Sequence, residues 1–408
     1  MDTSHLCGTL ANAPADRTVT TTAPVPAAPT PGPRPAVAAD RPTVTELRLS
    51  SYKSHRGTVF TLGPLTVLAG PSGSGKSTAL EAYAALSRLG GGATLGEVFP
   101  DAAACVPERA RPDAQHRRGF RIGCTVGGPA GVVRLDVAVQ AEPELRVVGE
   151  RLTCDGQILL STALRDPGRS TVQAAWHTAG AVPVTRAPLP DDRLGTALLP
   201  LRVAGKTAGQ RMVLAAAEQT VVALRAAFVC DPQPETMRAP VAVGEGRLWR
   251  GCGNLAEVLR RTRAECATRH AALVAACRAG CGGAVEDLAA EWLGDGNVRA
   301  VLDRGAQGVT PVGRLGDGEL RYLALALVLL TGPGVLEMDP AAEVLPARQT
   351  LTVLADGLDR CMDRRQAREL LALAVRMGER GHVQLVGSVR DAEAASAVPG
   401  VSVVDLGA

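Results

Sequence analysis

The stretch "LTVLAGPSGSGKSTALEAY" (residues 65–83) sets a short apolar run before three closely spaced glycines, a lysine and two hydroxyls, and then an amphipathic pattern. Gly70, Gly75, Lys76 and Ser77 fit the spacing G-x-x-x-x-G-K-[ST], and the flanks predict the strand and the helix that such a loop joins. The helix is expected from about Ser77 to Leu89, stopped by Gly90, Gly91 and Gly92. Gly70, Gly73 and Gly75 let the backbone aim successive N–H groups at one anion, and the helix start adds its positive end. Pro71, Ser72 and Ser74 complete the loop. In that arrangement Lys76 reaches the β and γ phosphates, the Ser77 hydroxyl ligates Mg2+, and Thr78 adds a phosphate contact. Lys53, Lys76 and Lys206 are the chain's three lysines, so a lysine inside a motif is unusually informative. The stretch predicts binding of Mg2+ and ATP.

Working outward, 408 residues with 46% apolar content suffice for a substantial core. The 44 basic and 41 acidic residues nearly balance, and no like-charge block marks a nucleic-acid tail or a membrane-surface patch. No run reaches the ~18 apolar residues of a membrane span, and the N-terminus lacks a basic start before an apolar core, so a cytoplasmic protein is expected. Ten cysteines without paired spacing point to reduced thiols. Cys266, His270, Cys277 and Cys281 recur at intervals of 4, 7 and 4 on one expected helix. At ~1.5 Å per residue the outer pair would lie roughly 22 Å apart, too far to share one metal.

Residues 1–42 form an Ala-, Pro- and Thr-rich tail without apolar periodicity, which cannot bury enough surface to fold alone. From Thr43, "TVTELRLSSY" alternates as a strand. Three stretches between about 118 and 160 read as an antiparallel meander, whereas 161–205 carries little signal. Helices are expected at 208–226, at 254–278 with Asn254 as its cap, at "LRYLALALVLL" (320–330), near 347–360 and near 363–380. "GVLEM" (334–338), "VQLVG" and "VSVVDL" read as strands of a parallel, helix-covered sheet.

A second glycine turn, "RLGDGELRYLALALVLL" (314–330), opens an apolar helix whose free N–H groups form another anion site. With the phosphate loop, this signature resembles the ABC-type ATPases of the RecF and SMC kind, in the shorter AAA-like branch related to OLD-family proteins. Tyr52-Lys53-Ser54-His55 stands where that branch writes an "FKSF"-like turn. Leu315-Gly316-Asp317-Gly318-Glu319-Leu320-Arg321 stands for "LSDGTLR", and "NLAEVLRR" from Asn254 is a further family pattern. The resemblance spans about 43–406. It implies an α/β P-loop NTPase of ABC-ATPase type: a mixed sheet covered by helices, with the antiparallel meander and a helical lid inserted between phosphate loop and signature. The lobes would be 43–160, 161–310 and 311–408. It also implies a head-to-tail, ATP-dependent homodimer in which Gly316, Asp317, Gly318 and Glu319 close on the partner's γ-phosphate, and Lys53 approaches the nucleotide.

The expected acids are incomplete. Where the family writes apolar residues and Asp-Glu-Pro, this chain has "GVLEMDPAAEVLPARQ". Asp339 can stand for the magnesium acid or for the catalytic glutamate, not both. Glu337 and Glu343 are the substitutes, Glu337 being two residues before Asp339 on the expected strand and so on the same face. Gln115 is the candidate for the glutamine linking lid and magnesium. After "VQLVG" the family's γ-phosphate-sensing histidine is replaced by Ser388, Val389 and Arg390, and His382 lies before the strand. Slow hydrolysis is therefore expected, with a non-hydrolysing, nucleotide-gated binding module as the rival. A small-molecule kinase would leave the signature unexplained. DNA as a partner is implied by the resemblance alone, since charge is balanced and aromatics are 2% of residues.

Overall fold

The structure, a computed structural model, describes residues 41–179, 183–338, 341 and 344–407. The expected tail, up to residue 40, therefore lies outside the described residues, as do Asp339 and Glu343. In chain order the elements are β1 (Thr43–Tyr52), β2 (His55–Thr61), β3 (Leu65–Ala69), α1 (Lys76–Gly90), β4 (Arg118–Gly128), β5 (Gly131–Glu142), β6 (Arg146–Cys154) and β7 (Gln157–Ala163). Next come β8 (Thr171–His177), β9 (Val184–Pro190), α2 (Gly195–Arg202), α3 (Ala208–Arg225), β10 (Ala227–Val229), β11 (Val241–Ala242), α4 (Leu255–Glu265) and α5 (Ala267–Gly280). The rest is β12 (Asp287–Trp292), β13 (Asn297–Asp303), β14 (Val309–Pro311), α6 (Asp317–Leu329), β15 (Leu351–Ala355), α7 (Arg364–Glu379), β16 (Val383–Ser388) and β17 (Ser402–Asp405). Among the described residues no helix is long and apolar enough to cross a membrane.

Two compact units divide the chain, the first drawn from 1–62, 77–226 and 339–350, the second from 63–76, 227–338 and 351–408. The first holds an eight-stranded antiparallel sheet in the order β2-β1-β4-β5-β6-β7-β8-β9. Alternation drives it: Phe120, Ile122, Cys124 and Val126 on β4 and Val133, Leu135, Val137 and Val139 on β5 are all buried. Against this face lies α3, whose Gln219 donates to the carbonyls of Val126 (3.1 Å) and Gly131 (2.9 Å). At the outer edge, β9 reads Val-Thr-Arg-Ala-Pro-Leu-Pro.

A parallel sheet of five strands organises the second unit, in the order β10-β15-β16-β3-β17. All five residues of β3 and all five of β15 are buried, as strands covered on both faces require. α6 is apolar almost all round and buried from Leu320 to Leu329, so it serves as the unit's central helix. A separate antiparallel group, β11-β13-β12 with β14 on β13, completes the unit.

Five expectations are corrected. The strands do not form one mixed sheet: β1 and β2 precede the phosphate loop in sequence yet join the antiparallel sheet, where β1 pairs with both β2 and β4, leaving β3 to a purely parallel sheet. "GVLEM" is not a sheet strand; it forms a 3-10 turn at Pro333–Val335 and a lone bridge from Leu336 to Leu248. The helix expected near 347–360 is instead strand β15, because a five-residue apolar run is equally readable as buried strand or helix. The helix over 254–278 is two, split at Cys266 (φ −149°, ψ 88°), which lets α4 follow β12 and β13 while α5 follows α6 and α7. Asn254 does not cap α4 with its side chain; its amide holds the preceding loop through Trp249 N–H (2.9 Å) and the Arg247 carbonyl (2.7 Å).

Among the described cysteines seven are buried, Cys266 is half-buried and Cys361 is exposed. Burial pushes the Cys124 thiol up to about 12, and thiolates are the reactive form. A thiol reagent on native protein is expected to label Cys361 quickly and the buried seven only on unfolding. Unchanged fast labelling in Cys361→Ser would contradict this.

Candidate functional site

The site is built on the carboxyl edge of the parallel sheet. In open α/β sheets ligands bind beyond the strand carboxyl ends where the strand order reverses, and here the reversal falls at β3, flanked by β16 and β17. β3 runs directly into the phosphate loop. Gly70 (φ +138°), Gly73 (+84°) and Gly75 (+96°) all adopt positive φ, as the motif requires. A Cβ on Gly70 would lie 2.9 Å from Ser74 Oγ and 3.2 Å from the Gly407 nitrogen, whereas one on Gly73 would meet open space. Pro71, Ser72 and Gly73 are exposed, Ser74, Gly75 and Lys76 half-buried. The Lys76 ammonium donates to the carbonyls of Gly70 (2.7 Å) and Pro71 (2.8 Å), held over the loop where a phosphate would sit. Ser77 and Thr78 follow in the first turn of α1.

Ala355 pairs with Gly387 across β15 and β16, and Ser388 with Leu68 across β16 and β3. Asp356, Ser388 and Leu68 therefore stand in one row, just short of the loop. At ~4.8 Å between strands, Asp356 is two strands, or roughly 10 Å, from the end of β3. The Ser388 hydroxyl donates to Asp356 Oδ1 (2.5 Å) and accepts the Gly357 N–H (2.8 Å), which fixes the carboxylate. Gly357 has φ +64°, a conformation that side chains resist. Asp359 Oδ2 accepts the N–H groups of Arg390 (2.8 Å) and Asp391 (3.1 Å), tying the turns after β15 and β16 together.

The signature turn is laced internally. Arg238 pairs with Asp317 and donates to the carbonyls of Gly313 (2.8 Å) and Leu315 (2.7 Å). Glu319 accepts from Gly282 N–H (2.7 Å) and Gly316 N–H (3.1 Å). The Gly316 N–H, expected free for an anion, is thus occupied by the chain's own carboxylate. A Cβ on Gly318 would come within 2.2 Å of the Cys361 carbonyl oxygen, so the signature packs on the turn after β15.

Of the other expected residues, Glu337 is exposed in a bend rather than on a strand, and its N–H donates to the Leu248 carbonyl (2.9 Å). Lys53 (φ +48°) pairs with Glu81 on α1. Gln115 sits exposed in the turn before β4, accepting from Arg117 (2.8 Å). His382 precedes β16 at the opposite end from Ser388. Sequence reading missed Asp356, although "TLTVLADG" carried the signal: a β-branched apolar run ended by an Asp-Gly turn.

No protein-family model and no curated protein matches the chain. Among solved structures it is similar to the Smc head bound to the C-winged helix domain of ScpA (11% identity, 85% of this chain and 90% of that one, TM-score 0.47). It is also similar to the SMC head domain from Thermotoga maritima (12%, 88% and 93%, TM-score 0.41). A third is the Pyrococcus furiosus Smc head with an extended coiled coil, bound to the C-terminal domain of ScpA (11%, 86% and 90%, TM-score 0.45). Likeness at this level decides nothing about function; the chain's own residues do.

Proposed function

We propose that the chain is an ABC-type, RecF- and OLD-like P-loop protein that binds Mg2+ and ATP, pairs head to tail with a second copy through its signature, and hydrolyses ATP slowly. The observation that carries this reading is Asp356 just past the end of β15, in register with Ser388 on β16, the strand that pairs with β3 ahead of the phosphate loop. The donor set fits the group. A hydroxyl, one carboxylate and phosphate oxygens are the hard ligands that Mg2+ takes, with water filling the rest. Asp356 thus takes the magnesium role first assigned to Asp339, together with Ser77, while Lys76 and the loop N–H groups hold the phosphates. Bound Mg2+ would offset charge on the phosphate oxygens.

Hydrolysis also needs a group that orients water, usually a carboxylate. The position after Asp356 is Gly357, which offers no side chain and has a backbone that resists one. Ser388, not histidine, ends β16. These two observations favour the second reading too, a nucleotide-gated clamp without chemistry. Asp356→Asn is expected to weaken ATP binding in Mg2+ by about tenfold while leaving binding in EDTA unchanged, since it removes one charge-assisted metal contact. Titration with a fluorescent ATP analogue in both conditions checks it. Phosphate release and oligomeric state of the wild type decide between the readings: slow release favours the ATPase and ATP-dependent dimers without release favour the clamp. Turnover approaching ~1 per second contradicts both.

A further inference from the structure

Arg321 lies on the first turns of α6 yet is only 3% exposed, a costly place for a cation. Its Nη1 donates to the Pro232 carbonyl (2.6 Å) in the turn after β10, and its Nη2 to the Gly357 carbonyl (3.3 Å) in the turn after β15. Asp231 Oδ1 lies 3.5 Å from Nη1 and 3.9 Å from the Arg360 guanidinium. Nε is buried without a hydrogen-bond partner. A buried cation whose acid partner is half-exposed is weak support for stability, because an apolar side chain of similar volume often does as well. What an apolar residue cannot do is hold two carbonyls at once with a rigid planar fork.

We infer that Arg321 is a positioning residue that couples the signature helix to the magnesium side of the site, a role that rests on the nucleotide reading above. The Gly357 carbonyl is one residue from Asp356. Any displacement of α6, whose N-terminal turn is the surface offered to a second copy, is passed through the guanidinium to that carbonyl. The acid then moves with the signature. Ser388 fixes the carboxylate from one side, and Arg321 fixes the backbone that carries it from the other.

The test uses the full chain and a fluorescent ATP analogue, titrated with Mg2+ and with EDTA, for wild type, Arg321→Met and Arg321→Lys, with melting temperatures recorded. Arg321→Met is expected to lose most of the tightening that Mg2+ brings, about tenfold, while its affinity in EDTA stays within about twofold of wild type. Arg321→Lys should recover part of the loss, having the charge without the fork. A folded Arg321→Met with the wild-type gain from Mg2+ overturns the role, as does equal weakening in both conditions, the mark of a merely structural residue. Should Arg321→Met fail to fold, Asp231→Asn, at a half-exposed position, must show a smaller loss of the same gain, and an unchanged gain overturns the role. Wild type that binds no nucleotide overturns the nucleotide reading instead, so the two failures are told apart.

Discussion

Lys76→Ala is expected to lower ATP affinity by about a hundredfold, near 3 kcal/mol, since it removes a cation aimed at the most charged part of the ligand. The Lys76 ammonium already bridges the Gly70 and Pro71 carbonyls, so it is held over the loop before any phosphate arrives and little entropy is left to lose. Its loss should barely move the melting temperature, because the side chain is half-exposed and packs no core. Lys206→Ala, at an exposed position in the loop before α3, is the control. Calorimetric titration checks the pair, and an affinity for Lys76→Ala within threefold of wild type would remove the phosphate loop from the argument.

The second large effect is on stability. Gly318→Ala places a methyl 2.2 Å from the Cys361 carbonyl oxygen and 3.0 Å from the carbon behind it, backbone that cannot swing aside. Overpacking of this kind costs about 1–3 kcal/mol, more than the helix gains from alanine. Because Cys361 stands in the turn after β15, relief of the clash would part the signature from that turn, and ATP-dependent pairing should fall along with thermal stability. Gly332→Ala, with nothing within 4 Å of the new methyl, should change stability by less than about 0.5 kcal/mol. Thermal melts of the two variants side by side make the comparison; equal melting temperatures would refute the close contact.

The phosphate loop was legible because its information is local: glycine spacing, one lysine and the pattern on each flank. Helix α6 was legible for the same reason. The acid was not. "GVLEMDP" presents an apolar run, acid and proline in the expected order, whereas "LTVLADG" presents a run too short for its own period to choose between strand and helix. Only pairing decides it, since β15 is known as the neighbour of β16 from the register of the two, and β16 as the neighbour of β3 from register between segments more than 300 residues apart. The break at Cys266 was hidden likewise, for it answers to which neighbours α4 and α5 cover, not to any residue that stops a helix.

The outermost strand β9 bears on how copies of this chain can meet. Pro188 and Pro190 pair with Gln173 and Thr171 of β8, and a proline nitrogen fits a ladder only where it faces away from its neighbour. Both nitrogens therefore look outward, and two of the four donors along that border are missing. A strand from another molecule docking there would find only half of the backbone donors, a poor template for extending the sheet. Growth by strand addition is disfavoured on that side. Association at that border is left to side chains, which, unlike backbone ladders, can be made conditional on a ligand.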